Sequence, residues 1–195
     1  EDAAILLSVM AGKDPLDSTS LDAEVPNYVE NLNQPLEGLR IGICEDFFTE
    51  GLEADSEQII RDTIHVFEML GATTSTVYLP HITHSIPAYY VIAPAEASAN
   101  LSRYDGVRFG YRCNEPSDLA DLFERSRSEG FGDEVKRRIM VGAFTLSTGY
   151  YDAYYRQAQQ IRRLIKDDFQ AAFKDVDILL GPTAPQPAFS LGEKT

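Results

Sequence analysis

The sequence lacks the features of a membrane-spanning or secreted protein. No apolar run approaches the roughly 18 residues that a transmembrane helix needs, and no basic leader ending in small residues is recognised. The only two cysteines, Cys44 and Cys113, lie far apart and form no CxxC motif. We therefore expect a reduced, cytoplasmic protein whose thiols are structural, without a membrane partner.

Basic residues are also scarce. The chain has 17 lysines and arginines against 31 aspartates and glutamates, a net charge of −14 over 195 residues. Proteins hold nucleic acid mainly through lysines and arginines that displace counterions from the phosphates. A chain this acidic is not expected to grip RNA or DNA itself, so another subunit must carry any nucleic-acid substrate.

The common catalytic motifs are absent as well. There is no GxGxxG, GxSxG or SxxK motif and no glycine-rich serine run. Cys44 follows a predicted strand, but the carboxylates of Glu45 and Asp46 disfavour its thiolate. His81 and His84 have a spacing that suits a metal, yet no acid cluster completes a ligand set, so a structural loop is the preferred interpretation. We expect neither a metal nor a catalytic residue in this chain.

The pattern of apolar residues predicts an α/β fold. A short strand at 39–44 is followed by a helix that Asp55 caps and Gly71 ends, and then by a strand at 73–80. Such a unit forms a parallel strand pair with a right-handed crossover. A buried strand within 176–182 leads into Gly181–Pro185, at the end of the sheet where open α/β folds bind ligands. Further helices are predicted at 86–104 (kinked or split at Pro94), 116–127, 131–144 and 150–174.

Two groups of residues are candidates for ligand recognition. Lys136, Arg137 and Arg138 form a basic triplet, and consecutive helix positions point about 100° apart, so at most two of them can face a pocket. An arginine can bind a carboxylate through two hydrogen bonds.

The second group is aromatic. Of the four tyrosines in 150–155, Tyr151 and Tyr154 share the apolar stripe of Ala158 and are predicted to pack in the core. Tyr150 or Tyr155 is better placed to face a ligand site or a partner. For Tyr89, as for its neighbour Tyr90, packing and ligand contact both stay open.

Two long stretches resemble one family. They are EASANLSRYDGVRFGYR (96–112) and RSEGFGDEVKRRIMVGAFTLSTGYYDAYYRQAQQIRR (127–163). Three shorter ones fit in the same order: EDAAILLSVMAGKDPLDSTS, LEGLRIGI and DILLGPTAPQPAFSLGE. On these motifs the chain resembles the family of A subunits of bacterial glutamyl-tRNA(Gln) and aspartyl-tRNA(Asn) amidotransferases, which are amidase-signature proteins.

The resemblance implies a fold and an activity. The fold is a central mixed sheet flanked by helices on both faces, of which residues 1–195 would form a single partial domain, truncated at both ends. The activity is hydrolysis of glutamine by a serine, a cis-serine and a lysine. The family's GGSSGGSA-type stretch and its catalytic lysine would lie upstream of this chain, so we expect the chain to be inactive alone.

The resemblance also implies site residues and partners. Arg138 would bind the α-carboxylate of glutamine and the Tyr89 hydroxyl would add a directional contact, while an acidic residue for the α-amino group would fall beyond Thr195. Subunits B and C would complete a heterotrimer. The partner would hold the tRNA and use ATP and Mg²⁺, and this chain would need no cofactor.

Two other functions stay open on the sequence. A stand-alone amidase-signature hydrolase would share the fold and lack a tRNA-binding partner. A non-catalytic binding module would bind a ligand without turning it over.

Overall fold

The computed structural model describes residues 1–30, 32–49 and 51–193 of the chain. Besides two short 3₁₀-helices and one π-helix, these ranges contain six α-helices and three β-strands. In chain order they are α1 (Asp2–Met10), β1 (Arg40–Ile43), α2 (Ala54–Met69), β2 (Thr73–Thr76), α3 (Ser85–Leu101), α4 (Leu119–Gly130), α5 (Asp133–Thr145), α6 (Gln157–Ala172) and β3 (Ile178–Leu180).

The three strands form one small parallel sheet in the order β2–β1–β3. Strand β1 is central, with Ile41 paired to Thr74 on one side and to Ile178 on the other. The predicted strand–helix–strand unit is therefore confirmed as a parallel pair. Because every strand among the described residues is parallel, the antiparallel members of the expected mixed sheet are not found in this part of the chain.

Helices cover both faces of the sheet, as predicted. Ile41 and Ile43 point to one face and pack with Ile64 and Phe67 of α2. Gly42 faces the other way, where α6 contributes Phe169 and Ala172 to a second cluster. This alternation follows from the two-residue period of a strand. Strand β3 lies at an edge and is only partly buried, in contrast to the buried strand that its apolar sequence predicts.

An ion pair between Arg40 and Asp177 connects two distant parts of the chain at the sheet. Asp177, just before β3, accepts hydrogen bonds from the backbone amide of Arg40 at 2.9 Å and from Nη2 of its guanidinium at 2.7 Å. The Asp177 amide in turn donates to the Arg40 carbonyl at 2.8 Å. The carboxylate thus fixes the register of β3 against β1.

Most predicted helices are present with shifted boundaries. Helix α2 begins at Ala54 with Glu53 at the N-cap position and no side-chain cap, so the expected cap by Asp55 is wrong. Asp55 instead lies in the first turn, where a negative charge still complements the helix dipole. Gly71 ends this helix as predicted, with φ of +98°. Helix α3 continues through Pro94 without splitting.

The segment predicted as one helix from 150 to 174 has two parts. Residues Tyr151–Arg156 form a π-helix, and α6 begins only at Gln157. A π-helical turn inserts an extra residue, which rotates what precedes it by about 100° relative to an α-helix. Tyr151 and Tyr154 are consequently 45% and 50% exposed and do not join Ala158 in the core, so their predicted burial is wrong.

Helix α3 is the centre of the helical layer and packs against both α5 and α6. Its contact with α5 is unusually close at Gly142. A β-carbon at Gly142 would overlap the carbonyl oxygen of Pro94 and lie 2.7 Å from Cβ of Ser98. Only glycine therefore allows α5 to approach the backbone of α3 at this crossing.

A largely buried carboxylate joins the sheet end to the helical layer. Asp168 of α6 accepts the backbone amide of His81 at 2.8 Å and lies 3.0 Å from its Nδ1. The side chain of Asp168 is only 12% exposed. This pair connects the loop after β2 with a helix 87 residues later in the chain.

We predict that Gly142→Ala destabilises the protein. Alanine is favoured over glycine inside a helix by about 1 kcal/mol, whereas overpacking costs about 1–3 kcal/mol or more. Because the atom that the new methyl meets is backbone, overpacking should win and lower the melting temperature. Gly51→Ala is the control, since nothing lies within 4 Å of its added carbon. A Gly142→Ala variant at least as stable as the wild type would contradict the close approach.

We also predict that Asp168→Asn costs about 1.5–3 kcal/mol of unfolding free energy at neutral pH, the value of hydrogen bonds to a charged group. Burial raises the pKa of Asp168, but the amide and ring of His81 outweigh it and hold the pKa below its usual value. The stability that the Asp168 carboxylate contributes is thus fully present above its unfolded pKa of about 4. It is lost as the pH falls through the lower pKa of the folded state.

The matched control is the neighbouring carboxylate, Asp167, which pairs with the exposed Arg163 on the same helix. Asp167→Asn should change stability by less than about 0.5 kcal/mol. Thermal melts at several pH values would measure both variants. A gap between wild type and Asp168→Asn that persists undiminished at pH values well below the folded pKa would contradict this account.

Candidate functional site

A cavity of about 210 Å³ lies between α3 and α5 and contains the polar groups of most interest. Each helix contributes four residues to its wall. They are Tyr89, Tyr90, Ala93 and Pro94 from α3, and Glu134, Arg137, Arg138 and Val141 from α5. The structure thus brings together Tyr89 and Arg138, the two residues that the sequence predicted as site residues.

Helical spacing explains why these residues share a wall. On α5, Glu134 lies four residues before Arg138, and Arg137 lies four residues before Val141, so the four occupy adjacent positions on one face. Two of the three basic residues of the triplet therefore face the cavity, the upper limit that the helix geometry sets. Lys136 points elsewhere and pairs with Asp133 at 2.9 Å.

Arg138 is held by Glu134 of the same helix. Its Nε donates to Oε1 of Glu134 at 3.1 Å. This hydrogen bond, together with the charge of Glu134, raises the pKa of Arg138 above its usual value, and Tyr89 adds to the rise. Tyr89 is therefore close enough to act on the guanidinium, while its ring lies 5.4 Å from that of Tyr90 in an edge-to-face arrangement.

The charges around the cavity leave a positive excess. Glu134 also contacts Nη1 of Arg137, so one carboxylate is shared by two guanidinium groups. The hydrogen bond from Arg138 is the main cause of the lowered pKa of Glu134, which is ionised at neutral pH. Two positive charges and one negative charge give a net of +1, which suits a ligand with a single carboxylate.

Another cavity, of about 410 Å³ between α4 and α5, is a weaker candidate. Its wall carries two cations, Arg127 and Lys136, which both have partners. Arg127 donates to the carbonyl of Leu101 at 2.9 Å and to that of Tyr104 at 3.0 Å. Lys136 is paired with Asp133, as described above. We set this cavity aside because neither Tyr89 nor Arg138, the two residues that the family resemblance indicates, lines it.

The cysteine and histidine side chains considered as reactive or metal-binding groups lie outside the cavity between α3 and α5. Burial raises the pKa of the Cys44 thiol, and the charge of Asp46 adds to the rise, in line with a thiol that is not a nucleophile. His81 is bound to Asp168. Across residues 1–30, 32–49 and 51–193 no three His, Cys, Asp or Glu side chains are grouped to hold a metal ion.

The loop after β3 also lies away from this cavity. Gly181 packs against Phe47, and the Pro185 carbonyl accepts the amide of Glu53 at 2.9 Å. Neither Gly181 nor Pro185 lines the cavity between α3 and α5. The tyrosines of 150–155 do not line it either. Their rings contact one another and Phe144, for example Tyr150 stacked on Tyr154 with ring centroids 6.0 Å apart.

Glu134 is the one charged residue of the cavity that the sequence analysis did not select. The sequence does contain a pattern that indicates the Glu134–Arg138 pair, because a glutamate four residues before an arginine on a helix is a favourable pair. It was missed because such pairs are common on exposed helices and rarely mark a site.

Comparison with known proteins defines the class of this chain. The family model described as "Amidase" matches residues 1–195. The chain therefore belongs to the amidase family. No helix among the described residues is long and apolar enough to span a membrane.

Individual relatives are more specific. The chain is 62% identical to the A subunit of glutamyl-tRNA(Gln) amidotransferase from Pseudomonas syringae pv. syringae, over all of this chain and 40% of the relative. The crystal structure of the Thermotoga maritima protein of the same name matches 99% of this chain and 37% of that one, with 35% identity and a TM-score of 0.67.

A bacterial aryl acylamidase shares the fold, with 23% identity and a TM-score of 0.66 over 95% of this chain and 35% of that one. The chain spans about 40% of the length of the glutamyl-tRNA(Gln) amidotransferase A subunits that it matches.

Proposed function

We propose that this chain is part of the glutamine-hydrolysing subunit of a tRNA-dependent amidotransferase, and that the cavity between α3 and α5 holds the substrate glutamine. The observation that carries the proposal is the juxtaposition of Tyr89 and Arg138 in one small cavity. The similarity to the A subunits of glutamyl-tRNA(Gln) amidotransferases over the whole chain supports the reaction class.

In this proposal Arg138 binds the α-carboxylate of glutamine. A guanidinium has five N–H donors in a planar fork, and the bond to Glu134 uses the one at Nε. Donors on both terminal nitrogens lie outside that bond and can take a carboxylate through two parallel hydrogen bonds. The Tyr89 hydroxyl donates a further hydrogen bond that fixes the orientation of the ligand.

The chemical step belongs to residues outside this chain. A serine oxygen attacks the side-chain amide carbon of glutamine, the C–N bond breaks with protonation of the nitrogen, and ammonia leaves. Water then hydrolyses the acyl-serine to release glutamate. We assign the serine, the cis-serine and the lysine to the part of the relatives' length that this chain does not span.

The partners follow from the same proposal. The ammonia passes to a complex of subunits B and C, where a partner uses ATP and Mg²⁺ to amidate glutamate on tRNA(Gln). The charge of −14 supports this division of roles, because an acidic protein is poorly suited to hold tRNA itself. The chain's own residues need no cofactor in this scheme.

The first test is Arg138→Ala in the full-length protein with its partner subunits. Loss of a two-bond contact to a carboxylate should raise KM for glutamine on the order of a hundredfold, with kcat little changed. Arg163→Ala is the control, since Arg163 pairs with Asp167 on α6 away from the cavity. Ammonia release measures all three proteins. A KM for Arg138→Ala equal to that of the control would contradict the site.

The second test is Tyr89→Phe, which removes one hydroxyl and keeps the ring. We expect KM for glutamine to rise about three- to tenfold, the value of one hydrogen bond. Tyr90→Phe is the matched control, because Tyr90 lines the same cavity without acting on Arg138 in the way Tyr89 does. Equal KM values for the two variants would remove Tyr89 from the site.

A further inference from the structure

Glu134 links the two guanidinium groups of the cavity between α3 and α5. It lies in the first turn of α5, one turn before Arg138, and lines the same cavity as Tyr89 and Arg138. One of its carboxylate oxygens accepts Nε of Arg138 at 3.1 Å, and the other contacts Nη1 of Arg137. A single carboxylate therefore spans both cations.

Glu134 binds Arg138 at Nε and leaves the terminal nitrogens available for a ligand. An arginine whose Nε is fixed presents its terminal nitrogens in a defined direction, whereas a free arginine samples many rotamers. The Arg138 side chain is 54% exposed, so packing alone does not fix it. Glu134 provides the restraint that the surrounding side chains do not.

The charges of Arg137 and Arg138 also require the carboxylate of Glu134 between them. If Glu134 were absent, Arg137 and Arg138 would lie side by side on one wall as two like charges. With Glu134 between them the repulsion is offset, and both can remain at the cavity. An exposed pair at this spacing adds little to helix stability by itself, so its main effect is expected on ligand binding.

We propose that Glu134 is a positioning residue that acts through Arg138 to orient the guanidinium toward the carboxylate of an amino-acid amide. This role rests on the proposed function, in which Arg138 binds the α-carboxylate of glutamine. It assigns Glu134 no direct contact with the substrate. The competing interpretation, in which Glu134 binds the α-ammonium group directly, predicts a different coupling between the two residues.

The test is a double-mutant cycle in the full-length protein with its partner subunits, with KM and kcat for glutamine measured by ammonia release. The four proteins are the wild type, Glu134→Gln, Arg138→Ala and the double variant. We expect Glu134→Gln alone to raise KM about tenfold with kcat within about twofold. In the Arg138→Ala background the same change should have no further effect, because the residue it acts through is gone.

Glu57→Gln is a closely matched control. Glu57 also lies in the first turn of a helix, and its Oε1 also accepts Nε of an arginine four residues later, Arg61, at 2.9 Å. It lies on α2, outside the cavity. We expect its KM to equal that of the wild type. Glu134→Asp, which keeps the charge on a shorter side chain, should recover part of the affinity lost in Glu134→Gln.

Each outcome decides the proposal. A KM for Glu134→Gln equal to that of Glu57→Gln would show a surface ion pair and overturn it. Additive effects in the double variant would show direct contact with the substrate and overturn it as well. A wild type that releases no ammonia from glutamine would overturn the proposed function, and this role with it, whereas a failed cycle with an active wild type would overturn only the role of Glu134.

Discussion

The close approach of α5 to α3 at Gly142 is the constraint on which the candidate site depends. Because Gly142 has no side chain, α5 rests against the Pro94 carbonyl, and the turn that precedes Gly142 carries Arg138 to the wall that Tyr89 also lines. A wider spacing of the two helices would move the guanidinium away from the phenol. The polar site is thus a consequence of backbone packing.

Ion pairing within this acidic chain then determines which basic side chains can bind a ligand. Lys136 is paired with Asp133, and Nη1 of Arg127 donates to backbone carbonyls. Arg137 and Arg138 share one carboxylate and keep a net positive charge. In a chain with 31 acidic residues against 17 basic ones, a local excess of positive charge is informative.

Part of this arrangement could be predicted from the sequence. Apolar periodicity and Gly71 identified the parallel strand–helix–strand unit, and helix geometry limited the basic triplet to two inward-facing residues. The π-helix at Tyr151–Arg156 could not be predicted, because its extra residue changes the phase of the stripe without a distinct sequence signal. The Arg40–Asp177 contact, 137 residues apart in sequence, was equally invisible to local patterns.

The selection of Tyr89 and Arg138 came from the family resemblance, whereas their meeting in one cavity is a property of the structure. The central claim is that this cavity recognises the α-carboxylate of glutamine. The most direct measurement compares kcat/KM for L-glutamine and for 4-aminobutanamide, which is glutamine without that carboxylate, in the wild type and in Arg138→Ala. The account predicts that the wild type strongly prefers glutamine and that the variant loses most of this preference. A preference that is unchanged in Arg138→Ala would contradict it.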